Sequence, residues 1–308
     1  MKTILSSIST LSLLATLATA QPLSCNSSLD KKSPCTTAAY PAGTVLENIA
    51  IAPSGDLYVS AIDSGTVFQV STSGSSRVFG QVSGPLGGLA FDADGRLIAA
   101  GRNSVYRFET NGTSSLVTNI AGAVSLNGVA RLSSGVFLIA DDSAATVWKV
   151  DLNAKTTVPW LTGGLLVPPP DGLPIGPNGV KLFRGSVYIS VTGAGTILRV
   201  PLMPDGSAGT PQIYVSSFQV DDFAFGSDGS IFAATQVGSI LRLHPGGQRS
   251  TIPTGTLGDA AVAFGGTPFD IRNIYVVNNG GVFLGLPDGP LPASVIRLTV
   301  NMTGIGAQ

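Results

Sequence analysis

Histidine occurs once and cysteine twice in the 308 residues, which removes the imidazole and thiolate sets that most zinc sites and nucleophilic triads need. Charge is also scarce: 11% of the chain is Asp, Glu, Lys or Arg, with 17 basic against 18 acidic residues. No basic surface is available to neutralise phosphates or hold anionic lipid, so nucleic acid is excluded as a partner. Beyond the N-terminus no apolar run approaches the roughly 20 residues that span a bilayer, so no membrane anchor is expected. Glycine, by contrast, is plentiful with 39 residues, and proline contributes 20 more. That balance suits many short strands joined by tight turns and disfavours a helical bundle.

The first residues read as an address. Met1-Lys2 is basic, Ile4 to Leu17 is apolar but too short for a comfortable span, and Ala18-Thr19-Ala20 offers small residues at alternate positions. A signal peptide over 1–20 follows, with a secreted mature chain starting at Gln21. Cys25 and Cys35 lie just downstream, and an oxidising compartment would let them pair; as metal ligands they lack a nearby histidine. Three sequons, at Asn26, Asn111 and Asn301, agree with that compartment.

One pattern recurs through the rest of the chain: a small or polar residue, an apolar run, a glycine turn, and two further alternating runs. Glu47-Asn48-Ile49-Ala50, Gly88-Leu89-Ala90-Phe91, Asn127-Gly128-Val129-Ala130, Asn178-Gly179-Val180, Asp221-Asp222-Phe223-Ala224 and Ala261-Val262-Ala263-Phe264 open the six copies. A spacing of about 40 residues is the blade length of a β-propeller. A four-stranded blade cannot bury both faces alone, whereas a closed ring covers every face and leaves only short edges. The predicted fold is therefore all-β, a six-bladed β-propeller of four-stranded antiparallel blades over 47–308. Residues 21–46 are expected to form a disulfide-tied flap and an outer strand that latches the ring.

In such a ring the innermost strand of each blade starts at the mouth of the axial channel. The leading residues are Glu47, Gly88, Asn127, Asn178, Asp221 and Ala260 or Ala261. Four of the six are oxygen donors, the ligand chemistry of a hard divalent cation, Ca²⁺ before Mg²⁺ or Mn²⁺. Taken singly, Asn-Gly and Asp at strand starts are common turn residues that cap their own backbone. The coincidence of phase is what points to a shared cluster, with Asn48, Asp141, Asp142 and Asp222 as neighbours.

These strings, Glu47-Asn48-Ile49-Ala50, Leu126-Asn127-Gly128-Val129, Pro177-Asn178-Gly179-Val180 and Asp221-Asp222-Phe223-Ala224, resemble the SMP-30, gluconolactonase and strictosidine-synthase superfamily of six-bladed propellers. The resemblance spans nearly all of the mature chain. It implies that Glu47, Asn127, Asn178 and Asp221 hold a divalent metal. The short secreted form is also similar to fungal propellers of secondary metabolism, among them hetero-Diels–Alderases, which join a quinone methide to a terpene alkene. Fold alone decides nothing between these activities.

Three functions are therefore expected in order. Cycloaddition of a polyketide-derived quinone methide with a terpene alkene asks for a dry pocket and one group to polarise a carbonyl, which suits so apolar a chain. A metal-dependent lactonase would use Asp222 or Asp142 as proton acceptor. A non-catalytic binding propeller is the third. The expected partner is a small hydrophobic metabolite, the expected assembly a monomer or weak dimer, and no organic cofactor is implied: Gly84-Pro85-Leu86-Gly87-Gly88 and Gly176-Pro177-Asn178-Gly179 open no βαβ unit. The sole histidine, His244 before Pro245-Gly246-Gly247, reads as an outer turn. An insertion from Leu165 to Ile175 containing three prolines reads either as a lid over the channel or as a rigid surface loop.

Overall fold

A computed structural model describes residues 23–25 and 33–305; the signal peptide expected over 1–20 and the sequon at Asn26 lie outside the described residues. Six antiparallel sheets follow one another in the chain. Blade 1 is built from Leu46–Ile51, Leu57–Ala61, Thr66–Val70 and Ser76–Gln81. The next four blades begin with inner strands Leu89–Phe91, Leu126–Ser133, Pro177–Phe183 and Phe223–Phe225, each followed by three further strands in order. Blade 6 takes Asp259–Phe264, Asn273–Asn278 and Pro292–Thr299 from the end of the chain.

The fourth strand of blade 6 comes from the other terminus. Cys35–Ala42 pairs antiparallel with Pro292–Thr299, placing Cys35 opposite Arg297 and Ala38 opposite Val295. Leu23–Ser24 adds a short parallel strand beyond it, and the Cys25–Cys35 disulfide, with Cα atoms 5.2 Å apart, ties the two. The ring is thus fastened by hydrogen bonds between the two ends of the chain.

Packing follows the ring and not its axis. The buried apolar residues fall into six clusters, one at each blade-to-blade interface. Between blades 1 and 2, for example, Val67 and Phe79 meet Leu86, Leu97 and Phe108. The closing interface contains Leu46, Ile49 and Val59 from blade 1, Tyr275 and Val295 from blade 6, and Ala38 and Tyr40 from the latching strand. Each blade buries both faces this way, and the axis stays free for a channel.

The turns obey the chemistry read from the sequence. Gly95 and Gly229, each after an Asp, adopt φ of +77° and +88°, a left-handed conformation that glycine enters without steric cost. His244 lies in such an outer turn, with Nε2 3.3 Å from the Ser250 hydroxyl. Two short 3-10 turns, Gly164–Leu166 and Thr192–Ala194, are the helical pieces among the described residues, and none is long and apolar enough to cross a membrane.

Candidate functional site at the channel mouth

The inner strands share an irregularity exactly where their chemistry begins, and it decides which way the side chains point. The pairing ladder breaks between Leu46 and Ile49, between Leu126 and Val129, and between Pro177 and Val180. Glu47-Asn48, Asn127-Gly128 and Asn178-Gly179 therefore leave the regular pleat, the behaviour of a bulge that re-aims side chains. Asp221-Asp222 takes the same place before the strand Phe223–Phe225, where Asp221 N–H donates to the Ala234 carbonyl at 3.1 Å. In blade 2 the matching donor is Gly87, whose N–H reaches the Ala100 carbonyl at 2.8 Å. The leading residue of that blade is thus Gly87 and not Gly88, one position earlier than the sequence reading. Ala260 fills the sixth place beside its buried neighbours.

The four predicted donors converge in two bonded pairs. Asn127 Nδ2 donates to Glu47 Oε1 at 2.9 Å, joining blades 3 and 1. Asn178 Nδ2 donates to Asp221 Oδ1 at 2.6 Å, joining blades 4 and 5. The Gln236 amide adds a bond to Asp221 Oδ2 at 2.6 Å, and Thr192 Oγ1 lies 3.3 Å from Asn178 Nδ2. All four donors are buried. Burial pushes Glu47 up to about 7, assisted by the charges of Asp142 and Asp222 and opposed by the Asn127 bond. Asp221 is driven well above the ordinary carboxylate range, by burial first and by the Glu47 charge second.

The adjacent residues face another way. Asp222 is clamped by Lys181 Nζ at 2.6 and 2.8 Å, by Asn48 Nδ2 at 3.2 Å and by the Phe223 N–H at 2.8 Å. These bonds tie blades 4, 5 and 1 across the channel below the quartet. With both oxygens taken by donors, Asp222 is a cross-brace. Asp142 is different: it is half-buried at the turn after the second strand of blade 3, and burial raises its pKa against hydrogen bonds from Ser143, Ser125 and Asn127. Asp141, its neighbour, accepts from Val124 N–H, Ser125 N–H, Ala144 N–H and Trp148 Nε1 and anchors that turn.

Asp142 lines a cavity of about 240 Å³ together with Asn127, Ser125, Val124, Pro85 and Arg102. Arg102 is the cation of that lining. The insertion after blade 3 stands beside it, since the Gly176 N–H donates to the Asp142 carbonyl at 2.7 Å and the Gly193 N–H to the Ile175 carbonyl at 2.7 Å. Its Leu166 is buried while Leu165, Val167 and Leu173 are exposed. Val124, Val237 and Phe283, the last 67% exposed, stand on loops at the same end of the ring. The acidic mouth thus has an apolar rim.

The sequence reading did not single out Lys181, Gln236, Ser60 or Ser190. Ser60 accepts from the Asn48 N–H at 3.1 Å and donates to the Gly87 carbonyl at 2.6 Å. Ser190 repeats the device between the Gly179 N–H and the Asp221 carbonyl, at 2.7 and 2.6 Å. A hydroxyl at the end of an otherwise apolar second strand was the available signal.

The donor chemistry fits one hard divalent cation. Two buried carboxylates, Glu47 and Asp221, lie close enough for the charge of one to raise the pKa of the other. Each is bonded by amides and, among the described residues, by no ammonium or guanidinium. The paired amides add oxygens of the kind a hard cation takes. The Gln236 Oε1 beside Asp221 is buried and has no partner, a further oxygen whose burial a cation would compensate. Because half the set is amide, no group of three or more His, Cys, Asp or Glu side chains is gathered at metal-binding distance among the described residues.

No protein-family model matches the chain, and no curated protein matches its sequence. Solved structures do match the fold. A luciferin-regenerating enzyme superposes with a TM-score of 0.70 at 14% identity, over 86% of this chain and 95% of that one. A gluconolactonase of Xanthomonas campestris gives 0.68 at 17% identity, over 87% and 90%. Regucalcin of Agrobacterium tumefaciens, a calcium-binding protein, gives 0.68 at 15% identity, over 87% and 95%. Identities this low define the architecture they share, the six-bladed propeller, and leave the reaction to the site.

Proposed function

We propose that the protein is a secreted, glycosylated small-molecule enzyme that polarises a carbonyl group at the channel mouth, and that it hydrolyses an apolar lactone. The observation that carries this reading is the convergence of Glu47, Asn127, Asn178 and Asp221 beside a cavity containing Asp142. A divalent cation held by that quartet would polarise the lactone carbonyl and acidify a water molecule. Asp142, with its affinity for protons raised by burial, accepts the proton of the attacking water; the ring C–O bond breaks and the proton is returned to the alkoxide, giving a hydroxy acid. Arg102 offers a cationic donor to the developing carboxylate, and the apolar rim of Leu165, Val167, Leu173 and Phe283 selects a hydrophobic ring. The sequons at Asn111 and Asn301 are exposed and open to a glycan. The gluconolactonase and the luciferin-regenerating enzyme among the similar structures support an enzyme of this kind.

The apolar rim favours a second reading, cycloaddition of a quinone methide with a terpene alkene, in which the same cavity orients two apolar partners and needs no proton acceptor. Hydrolysis of a panel of alkyl-substituted lactones, with and without a chelator, separates the two. Chelator-sensitive hydrolysis lost in Asp142→Asn supports the lactonase. Absence of hydrolysis with every divalent cation, alongside stereoselective adduct formation that survives Asp142→Asn, would replace it with the cycloaddition.

A further inference from the structure

The quartet and its cavity occupy one end of the channel, yet a larger space lies at the other. A cavity of about 420 Å³ is walled by the inner strands of all six blades, with Ile51, Phe91, Val129, Val180, Phe225 and Phe264 among its lining. Ile305, after the last strand, closes one side. At its deep end stand Asn48 and Lys181, the two polar side chains of the lining. Their bonds to Asp222 form the cross-brace that separates this space from the acidic mouth.

We infer that this cavity is a second binding site, for a small apolar molecule bearing one carbonyl, carboxylate or sulfonate group directed at Lys181. This goes beyond the reaction proposed above, which uses the opposite end. Three observations carry it. Apart from Asn48 and Lys181 the lining side chains are apolar, and apolar cavities of only about 150 Å³ already take up benzene. The lining is rich in small residues, Ala50, Ala90, Ala130, Ala224 and Ala263, one on each of five inner strands, which leaves about 420 Å³ of space beside the axis. Lys181 supplies the polar specificity: its side chain is 23% exposed, and an ammonium has three donors, of which Asp222 engages two. The ligand class follows from this pairing of one cationic donor with an otherwise apolar wall.

The test uses the intact protein and two probes, 1-anilinonaphthalene-8-sulfonate followed by fluorescence and β-ionone followed by calorimetry. One saturable site per chain is expected, with β-ionone displacing the sulfonate. Ala224→Trp and Ala263→Trp, which add bulk at two half-buried positions of the lining, are expected to weaken both probes by at least about tenfold, and Lys181→Met to weaken the sulfonate more than the ketone. Because Lys181→Met strands the Asp222 carboxylate and threatens folding, the two tryptophan variants, checked for unchanged melting, are decisive. Glu47→Gln, at the far end, is expected to bind both probes as the unaltered protein does. Failure of either probe to saturate, equal binding by the tryptophan variants, or binding lost in Glu47→Gln but kept in Ala224→Trp would overturn the site. None of these outcomes depends on lactone turnover, so the lactonase reading stands or falls separately.

Discussion

At the residue scale, the site is defined by which carboxylates are neutralised by a partner and which are not. Asp222 has Lys181, whereas Glu47 and Asp221 have amides. Asp221→Ala should therefore abolish the thermal shift that Ca²⁺ produces, measured by scanning calorimetry, while Asp142→Asn should retain the shift and lower lactone turnover about 10²–10⁴-fold, the usual range for loss of a general base. A loss of both properties in Asp142→Asn would make Asp142 a ligand instead. The oxygen donors were legible in the sequence because they recur in phase. Lys181 and Gln236 were not, since each acts from one blade and leaves no repeat to compare.

At the element scale, the same Asn-Gly pairs that suggest turns serve another purpose. A Cβ on Gly128 would collide with the Asn178 carbonyl oxygen, and one on Gly179 with Asp222 Oδ1. Neither glycine has a positive φ, so what is required is close approach between neighbouring inner strands. Gly128→Ala is expected to cost about 1–3 kcal/mol, the range for overpacking, read as a shift of the urea midpoint. The register of blade 2 was misplaced by one residue for a related reason: Gly87 and Gly88 adjoin, and neither carries a side chain to mark the phase. The latch is tested by Ala38→Asp, which inserts an unpaired charge into the cluster where blades 6 and 1 meet. A fall in melting temperature of about 5 °C or more is expected, since each kcal/mol is worth roughly 2–4 °C in a chain of this size.

At the scale of the whole molecule, the buried acids make stability depend jointly on pH and cation. Glu47 and Asp259 are each raised to about 7 by burial, Asp259 against bonds from Thr256 and Thr254; Asp221 and Asp142 are raised as well. A carboxyl group with its pKa raised by folding stabilises the native state below the unfolded value near 4 and ceases to do so as pH rises through the folded value. Each such group contributes a slope of about 1.4 kcal/mol per pH unit between the two. Without divalent cation the melting temperature should fall from pH 4.5 to pH 7.5. Calcium, which binds the ionised forms, should restore little at pH 5 and much at pH 8, and Asp259→Asn should flatten the cation-free profile without changing the calcium increment. A calcium increment that is constant across this range would remove the quartet as its binding site. The ring itself was readable from periodicity alone, whereas the division of its axis into two chambers depends on side chains reaching across blades, which no linear pattern records.

The glycines that let neighbouring strands touch also set a gauge for the bore. Because Gly128 and Gly179 already abut their neighbours, that level of the ring can be neither tightened nor refitted with larger residues. Any drift in what the protein accepts must therefore come from the loops above, such as 163–176 and 279–291, or from the alanines below, leaving the middle of the tube fixed while its two openings diverge independently.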